Sequence, residues 1–375
     1  HKKLNVPNLR FPEFQGEWEK KRLEECVEFL DGLRKPIKSE DRKSEQGLYP
    51  YYGASGIIDY IDGYIFDGEY ILLSEDGANI IDRNYRVAFI AKGKIWVNNH
   101  AHVLQPYDGF DINFLSETLE RLNYAVYNTG TTMPKLNQEV CRNINLKIPT
   151  TKEQNKIGNL LSLLNKRIAT QNKIIEDLKK LKSAIIEKLY KGIQGTWYSY
   201  RQLFSIINER NKQLEYSNVL SASQERGMVS REDLNLDIHF ERSNISTYKI
   251  VKNGDYVIHL RSFQGGFAFS EKTGICSPAY TVLRPNNLLV YGYLSNYFTS
   301  RDFVKSLIIV TYGIRDGRSI NVDEWLDMKV VIPSKEQQTH IANVIESIEN
   351  KIKNEETYSN CLLNQKQYLL RQMFI

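Results

Sequence analysis

IPTTKEQNKIGNLLSLLNKRI at 148–168 and IPSKEQQTHIANVIESIENKI at 332–352 are the same phrase written twice, 184 residues apart. No gap is needed from Pro149/Pro333 to Tyr190/Phe374, and the match reaches back to Leu136-Asn137 over Ile320-Asn321. A period this long is too large for a stacked solenoid and marks a duplicated unit. Each copy holds a dissimilar globular part followed by a long helix. Apolar residues recur at spacings of three and four, so one stripe of each helix is apolar. The stripe carries Ile157, Leu161, Leu164, Ile168, Ile175, Leu178 and Ile185 in the first helix. In the second it carries Ile341, Ile345, Ile348, Ile352, Leu362 and Leu369. Both helix starts read as capping boxes just after a proline, Thr150-x-x-Glu153 and Ser334-x-x-Gln337. Gly192 and Gly195 stop the first helix.

A helix of this length makes a rod of ~60 Å, more than one small domain can bury. Each helix therefore takes the other as partner in a coiled coil. If equivalents pair, a pseudo-twofold axis relates the copies and the helices run antiparallel. The expected fold is α+β: globular units at 1–148 and 192–332, spaced by helices at 149–191 and 333–375. Within the units, Tyr51 to Tyr70 reads as short strands and turns. Tyr70 to Leu73, Arg86 to Ile90, Tyr256 to Leu260 and Tyr280 to Leu283 read as strands, and 111–127 and 288–307 as short helices. Trp18 and Trp197, each shortly before an Arg-Leu or Arg-Gln-Leu entry, read as equivalent positions.

The chain has 375 residues, 41% of them hydrophobic, which excludes global disorder. No apolar run approaches the ~20 residues of a membrane span, and the first ten residues lack an apolar leader, so no membrane association is expected. Cys26, Cys141, Cys276 and Cys361 form no C-x-x-C, which fits a reducing cytoplasm. Phosphate-binding loops, dinucleotide fingerprints and nucleophile elbows are all missing from the sequence. The net charge is +5. Between Pro149 and Tyr190 there are nine Lys/Arg and four Asp/Glu; between Pro333 and Phe374 there are five of each. The first helix thus holds the whole excess, and the globular units sum to zero. Any positive face on them must be gathered locally.

Polar, glycine-rich loops supply the residue types that hold phosphates and read base edges. In the first unit these are Arg34, Lys35, Lys38, Lys43, Tyr51, Tyr52, Ser55, Asn98, Asn99, His100, Thr131 and Lys135. In the second they are Ser221, Ser223, Gln224, Arg226, Arg261, Ser262, Gln264, Arg315 and Arg318. Taken singly, each is better explained as an ordinary solvated loop residue; the set as a whole points to nucleic acid. His100-Ala101-His102, with Glu75 and Asp76 as helpers, is the best metal candidate. Period two would place both imidazoles on one face of a strand, but no third ligand stands at a fixed spacing. No metal and no catalytic residue is assigned. The competing readings are a metal-dependent hydrolase built on His100 and His102, and a coiled-coil adaptor whose ends bind proteins.

The doubled starts Pro149-Thr-Thr-Lys-Glu-Gln and Pro333-Ser-Lys-Glu-Gln-Gln resemble those of the DNA-specificity (S) subunit of type I restriction–modification systems. So do VPNLRFPEF at 6–14, the run GKIWVNNHAHV at 93–103, Gly254-Asp255, and Ser277-Pro278-Ala279-Tyr280. One departure is Gln337 where the first repeat has Glu153. The resemblance spans nearly the whole chain. It implies a non-catalytic subunit with two target recognition domains, each reading half of a split, non-palindromic site on double-stranded DNA. It also implies two docked methyltransferase (M) subunits and further restriction (R) subunits. S-adenosylmethionine, ATP and magnesium would belong to those partners, with no cofactor in this chain. A helix of fixed length would set the spacer between half-sites, since readers enter the groove on one face only near multiples of a helical turn, ~34 Å.

Overall fold

The computed structural model describes residues 5–42, 47–223, 226–231, 242–259, 266–312 and 319–375. The chain divides into two compact units. The first comprises 1–172 and 357–375, the second 173–356.

In the first unit the strands are β1 (Glu19–Arg22), β2 (Val27–Phe29), β3 (Tyr49–Gly53), β4 (Gly56–Ile61), β5 (Phe66–Ser74), β6 (Ala88–Val97), β7 (Ala101–Pro106) and β8 (Asn145–Ile148). Six of them form one sheet in the order β2-β7-β5-β6-β3-β4, antiparallel except where β3 runs parallel to β6. β1 pairs separately with β8. Helices α1 (Asn79–Asp82), α2 (Ile112–Glu120) and α3 (Gln138–Arg142) lead to the long α4 (Thr151–Tyr190). α2 begins at Asp111, whose carboxylate accepts from the Phe114 N–H, a standard N-cap. The core gathers Trp18, Leu23, Ile71, Leu73, Phe114 and Leu115 with Ile157 and Leu161 of α4. Met373 and Phe374, at the far end of the chain, complete it. Phe114 and Phe374 stack at 5.3 Å, and Trp18 meets both edge-on.

The second unit opens with β9 (Thr196–Ser199) and α5 (Tyr200–Leu203). Strands β10 (Phe204–Ile207), β11 (Leu220–Ser223), β12 (Gly227–Ser230), β13 (Lys249–Val251), β14 (Tyr256–Ile258), β15 (Phe267–Phe269), β16 (Gly274–Cys276) and β17 (Thr281–Pro285) follow. After α6 (Arg301–Ser306) come β18 (Thr311–Tyr312), β19 (Ser319–Ile320), α7 (Val322–Asp327), β20 (Lys329–Ile332) and α8 (Lys335–Gln372). A four-stranded sheet runs β10-β17-β14-β15; the other strands pair two by two. Trp325 stacks on Tyr200 at 4.3 Å amid Phe204, Phe267, Phe298 and Phe303. Ile186 of α4 and Ile341 and Ile345 of α8 seal that core.

The helix pairing is antiparallel within each unit. In the first, Leu164 and Ile168 pack with Leu362, and Ser359 donates to Asn172 at 3.0 Å. In the second, Lys179 meets Glu356 at 2.7 Å and Lys182 meets Glu349 at 2.6 Å. Ile157, Leu161, Leu164, Ile168, Ile341, Ile345, Ile352 and Leu362 are buried. Ile175, Leu178, Ile185, Ile348 and Leu369 are half-buried, because two helices alone cannot enclose both flanks of a stripe. Buried Gln171 and Ser359 interrupt the apolar seam.

Several expectations need correction. Helix 111–127 is real but ends at Glu120, with a single 3-10 turn after it at Tyr124–Tyr127. The expected helix at 288–307 reduces to a 3-10 turn at Tyr297–Thr299 and the six-residue α6. Trp18 and Trp197 are not equivalents. The strand registers pair Glu19 with Ile148 and Thr196 with Ile332, so Trp197 matches the exposed Lys20, two positions past Trp18. Trp18 is accordingly buried and Trp197 is 65% exposed. Only the second capping bond is seen, from the Gln337 N–H to Ser334 Oγ at 3.3 Å. Glu153 instead lies fully buried and accepts two bonds from the Arg10 guanidinium, at 2.8 and 2.7 Å, plus one from the Trp18 indole. The carboxylate that resembled a cap anchors the N-terminal arm.

Candidate nucleic-acid interface

Pro149-Thr-Thr-Lys-Glu-Gln and its copy matter structurally through their last residue. Gln154 is buried; its Nε2 donates to Pro149 O at 3.0 Å, and its Oε1 accepts from the Asp111 N–H at 3.1 Å. Gln338 is buried in the same way. Its Nε2 donates to Pro333 O and Leu288 O, both at 3.0 Å, and its Oε1 accepts from the Val290 N–H at 2.8 Å. Each glutamine thus satisfies its own amide and clamps a helix start to its own globular unit.

In the first unit, hydrogen bonds gather several loops into one cluster. Ser74 Oγ donates to Ala54 O at 2.6 Å, and the Asn98 N–H to Tyr52 O at 3.0 Å. The Glu75 N–H reaches His100 O at 2.8 Å, the Leu136 N–H reaches Glu75 O at 2.7 Å, and the Gly77 N–H reaches Pro134 O at 3.0 Å. Ser55 in the β3–β4 turn, Asn99 and His100 in the β6–β7 turn, and Thr131 and Lys135 are exposed on these loops. Lys35 and Lys38 are exposed on the preceding segment, where Lys35 O accepts from the Trp96 indole at 2.6 Å. The run 93–103 is therefore β6, its turn and β7.

Other candidates face inward. Arg34 spends its guanidinium on Glu75 and Ala101 O, both at 2.7 Å, and on Asp31 O at 3.1 Å. Tyr51 is buried, its hydroxyl accepting from the Ile37 N–H at 3.0 Å. Asn98 is buried, its side chain accepting from the His100 N–H at 2.8 Å. Tyr52 is half-buried near Phe89. These four support the loops from beneath. Lys43 lies outside the described residues.

The histidine pair separates. His100 lies in the turn before β7, so strand alternation does not align it with His102. His100 Nδ1 meets Asp76 at 2.9 Å on the surface. His102 is buried, with Nδ1 2.6 Å from Asp31 and Nε2 2.8 Å from Leu136 O. A carbonyl oxygen only accepts, so Nε2 carries a proton; the Asp31 carboxylate at 2.6 Å accepts from Nδ1–H. Burial by itself would lower the His102 pKa, but the hydrogen bond to Asp31, with Cys141 adding to it, overrides burial and lifts it to about 10. The same bond overrides burial at Asp31 and holds its carboxyl below the usual range. Donor atoms of Asp31, Glu75 and His102 lie within 4.8 Å of one another. With both ring nitrogens engaged and the Arg34 guanidinium among the carboxylates, the group is a closed ion cluster and a poor fit to a cation. The spacing of the sequence showed Glu75 and His102 but gave no sign of Asp31, which lies 71 residues from His102.

In the second unit, β11 and β12 form a hairpin in which the Arg226 N–H donates to Ser223 Oγ at 3.3 Å. Arg226 is exposed, and Ser221 and Ser223 are half-exposed. Gln224, Arg261, Ser262, Gln264, Arg315 and Arg318 lie outside the described residues. The Gly254-Asp255 pair makes a turn: Gly254 has φ +93°, and buried Asp255 takes two bonds from Arg284, each 2.9 Å. Among the described residues no helix is long and apolar enough to cross a membrane.

Residues 15–180 match the family model described as the type I restriction modification DNA specificity domain. A putative type I restriction enzyme specificity subunit of Haemophilus influenzae is 27% identical, with 89% of this chain and 87% of that one aligned. A type I specificity subunit of Methanocaldococcus jannaschii is 25% identical over 92% of this chain and 88% of its own. Among solved structures, the S subunit of a type I restriction–modification system from M. genitalium superposes with a TM-score of 0.65 over 99% of both chains, at 14% identity.

Proposed function

We propose, for a chain that is a type I restriction–modification specificity subunit by its relatives, that each unit reads one half of a split DNA target. Phosphate contacts position each reader, and a few side chains discriminate bases at ~1–3 kcal/mol each. The observation that carries this reading is the overlap of the matched DNA specificity domain, 15–180, with the whole exposed loop cluster of the first unit. Ser55, Asn99, His100, Thr131 and Lys135 are the reading candidates there; Ser221, Ser223 and Arg226 are their counterparts in the second unit.

The two globular sequences differ, so the half-sites differ and the target is non-palindromic. The chain supplies specificity, and the chemistry on DNA belongs to methyltransferase and restriction subunits that dock on it. The excess charge of α4 is available for spacer phosphates or for an acidic face of such a partner.

The test is methylation-site sequencing of a genome that carries this subunit with its M subunits. The expected result is one bipartite motif with unlike halves and a fixed spacer. A symmetric motif, or methylation without sequence preference, would refute the proposal. Inserting whole turns in both long helices should lengthen the spacer and keep the half-sites.

A further inference from the structure

The cluster beneath the loops of the first unit has a role that the exposed residues do not reveal. Four segments converge on it. Asp31 takes His102 on one carboxylate oxygen and the Val103 N–H, at 3.0 Å, on the other. Gln138, at the start of α3, donates to the same carboxylate at 3.0 Å. Arg34 joins Asp31 to Glu75. His102 then reaches across to Leu136 O, the residue next to Lys135. Glu75 holds Lys135 at 3.6 Å from outside and binds the backbones of His100 and Leu136. Each of Asn99, His100 and Lys135 is therefore within three residues of a group fixed by this cluster. So is the end of the loop that carries Thr131.

The charges explain why the cluster behaves as one piece. Two carboxylates, Asp31 and Glu75, are balanced inside by two cations, Arg34 and His102. If the imidazolium is removed, one half-buried guanidinium faces two half-buried anions, and Leu136 O loses its donor. An anion left short of a partner away from full solvent is costly. The cheapest relief is to let water in by releasing the 128–138 loop from the β6–β7 turn.

We propose that His102 is a positioning residue for DNA reading: as a buried crosslink between Asp31 and Leu136 it sets the relative placement of the loops that carry Asn99, His100, Thr131 and Lys135. It touches no base. This rests on the reading that the first unit recognises one half-site.

The test uses the assembled complex with its M subunits and two panels of duplexes, one varied in each half-site, with competition binding as the readout. With His102→Gln, discrimination between cognate and single-mismatch duplexes should flatten by ~10-fold, the size of one good base contact, in one half-site only. The other half-site should keep its wild-type preference. Gln138→Leu removes a single bond to Asp31 and should flatten the same half-site by a smaller factor, which keeps the test open if His102→Gln fails to fold. Wild-type discrimination in both halves, whatever the melting temperature does, overturns the proposal. Equal loss in both halves also overturns it, since general destabilisation does that. If the wild-type complex shows no preference in one of the halves, the underlying reading of the first unit fails, and the variants are not needed to see it.

Discussion

Gly158→Ala offers a test in which two known effects oppose each other. In an exposed helix interior this change stabilises by about 1 kcal/mol, since alanine loses less backbone freedom. Gly158, in α4, has the same freedom to lose but no room for the methyl group. An added Cβ would lie 2.0 Å from Asp111 Oδ1, 2.9 Å from its Cγ and 3.1 Å from the Phe114 backbone nitrogen. Asp111 would have to retreat by more than 1 Å. It would then lose its 2.8 Å capping bond to the Phe114 N–H, worth ~1 kcal/mol. The start of α2 would be pushed off α4 at an overpacking cost of ~1–3 kcal/mol. Phe114 stands in the stack with Trp18 and Phe374, so this shift does not stay local.

The net is a destabilisation of about 2 kcal/mol, and the clash outweighs the propensity. By ordinary scaling for a unit of this size, thermal unfolding should fall by ~4–8 °C. The repeat supplies its own control, because the equivalent position holds Ala342. There, Ala342→Gly should cost about 1 kcal/mol by propensity alone. In an Asp111→Ala background the Gly158→Ala penalty should shrink or change sign, as a double-mutant cycle would register. A rise in melting temperature for Gly158→Ala in the unaltered chain would refute the packing argument.

Replacing Gln338 by Ala removes three bonds and strands backbone groups of Leu288, Val290 and Pro333 that are half-buried or buried, so urea unfolding should show a loss of about 3 kcal/mol; a loss under 1 would show the clamp to be incidental. His102 carries a folded pKa of about 10, above the unfolded ~6.5. The stability it contributes is therefore fully present below ~6.5 and is lost as pH rises through about 10. Melting followed from pH 6.5 to 10 should decline, and His102→Gln should flatten that decline. Asp31, Glu75, Arg34 and Cys141 surround the ring, and a decline that persists unchanged in the variant would show that His102 is not its source. Lys38→Ala should weaken DNA binding evenly across sequences and lower the slope of log affinity against log salt by about 1; a change in base preference instead would make Lys38 a reader.

The helices were legible because a 3.6-residue apolar period leaves a continuous signal, and the repeat doubled it. Strands were less so. Arg86 to Ile90 was readable as a strand, yet the strand runs on as β6 to Val97 through Lys92-Gly93-Lys94, whose exposed polar side chains hide the pattern. Candidate loop residues could be chosen by type, but type does not tell which way a side chain faces. Arg34 and Lys35 are neighbours with opposite roles, one locked on Glu75 and Ala101 O, the other exposed. Glu153 matched a capping pattern with its local sequence while its true partner, Arg10, lay 143 residues away. Local chemistry is written in local sequence; the ion cluster under the loops is assembled from residues 31, 34, 75 and 102, and only the fold brings them together.

The glutamine clamps carry a consequence for how such a chain can change. Gln154 and Gln338 grip only main-chain atoms: the carbonyl of Pro149 and the amide of Asp111 in one unit, and the carbonyls of Pro333 and Leu288 and the amide of Val290 in the other. A fitting that ignores side chains is blind to the identity of what it holds. Side chains on the loops above it can therefore change one by one while the socket keeps its shape, because the grip depends on where the backbone runs and not on which residue it carries.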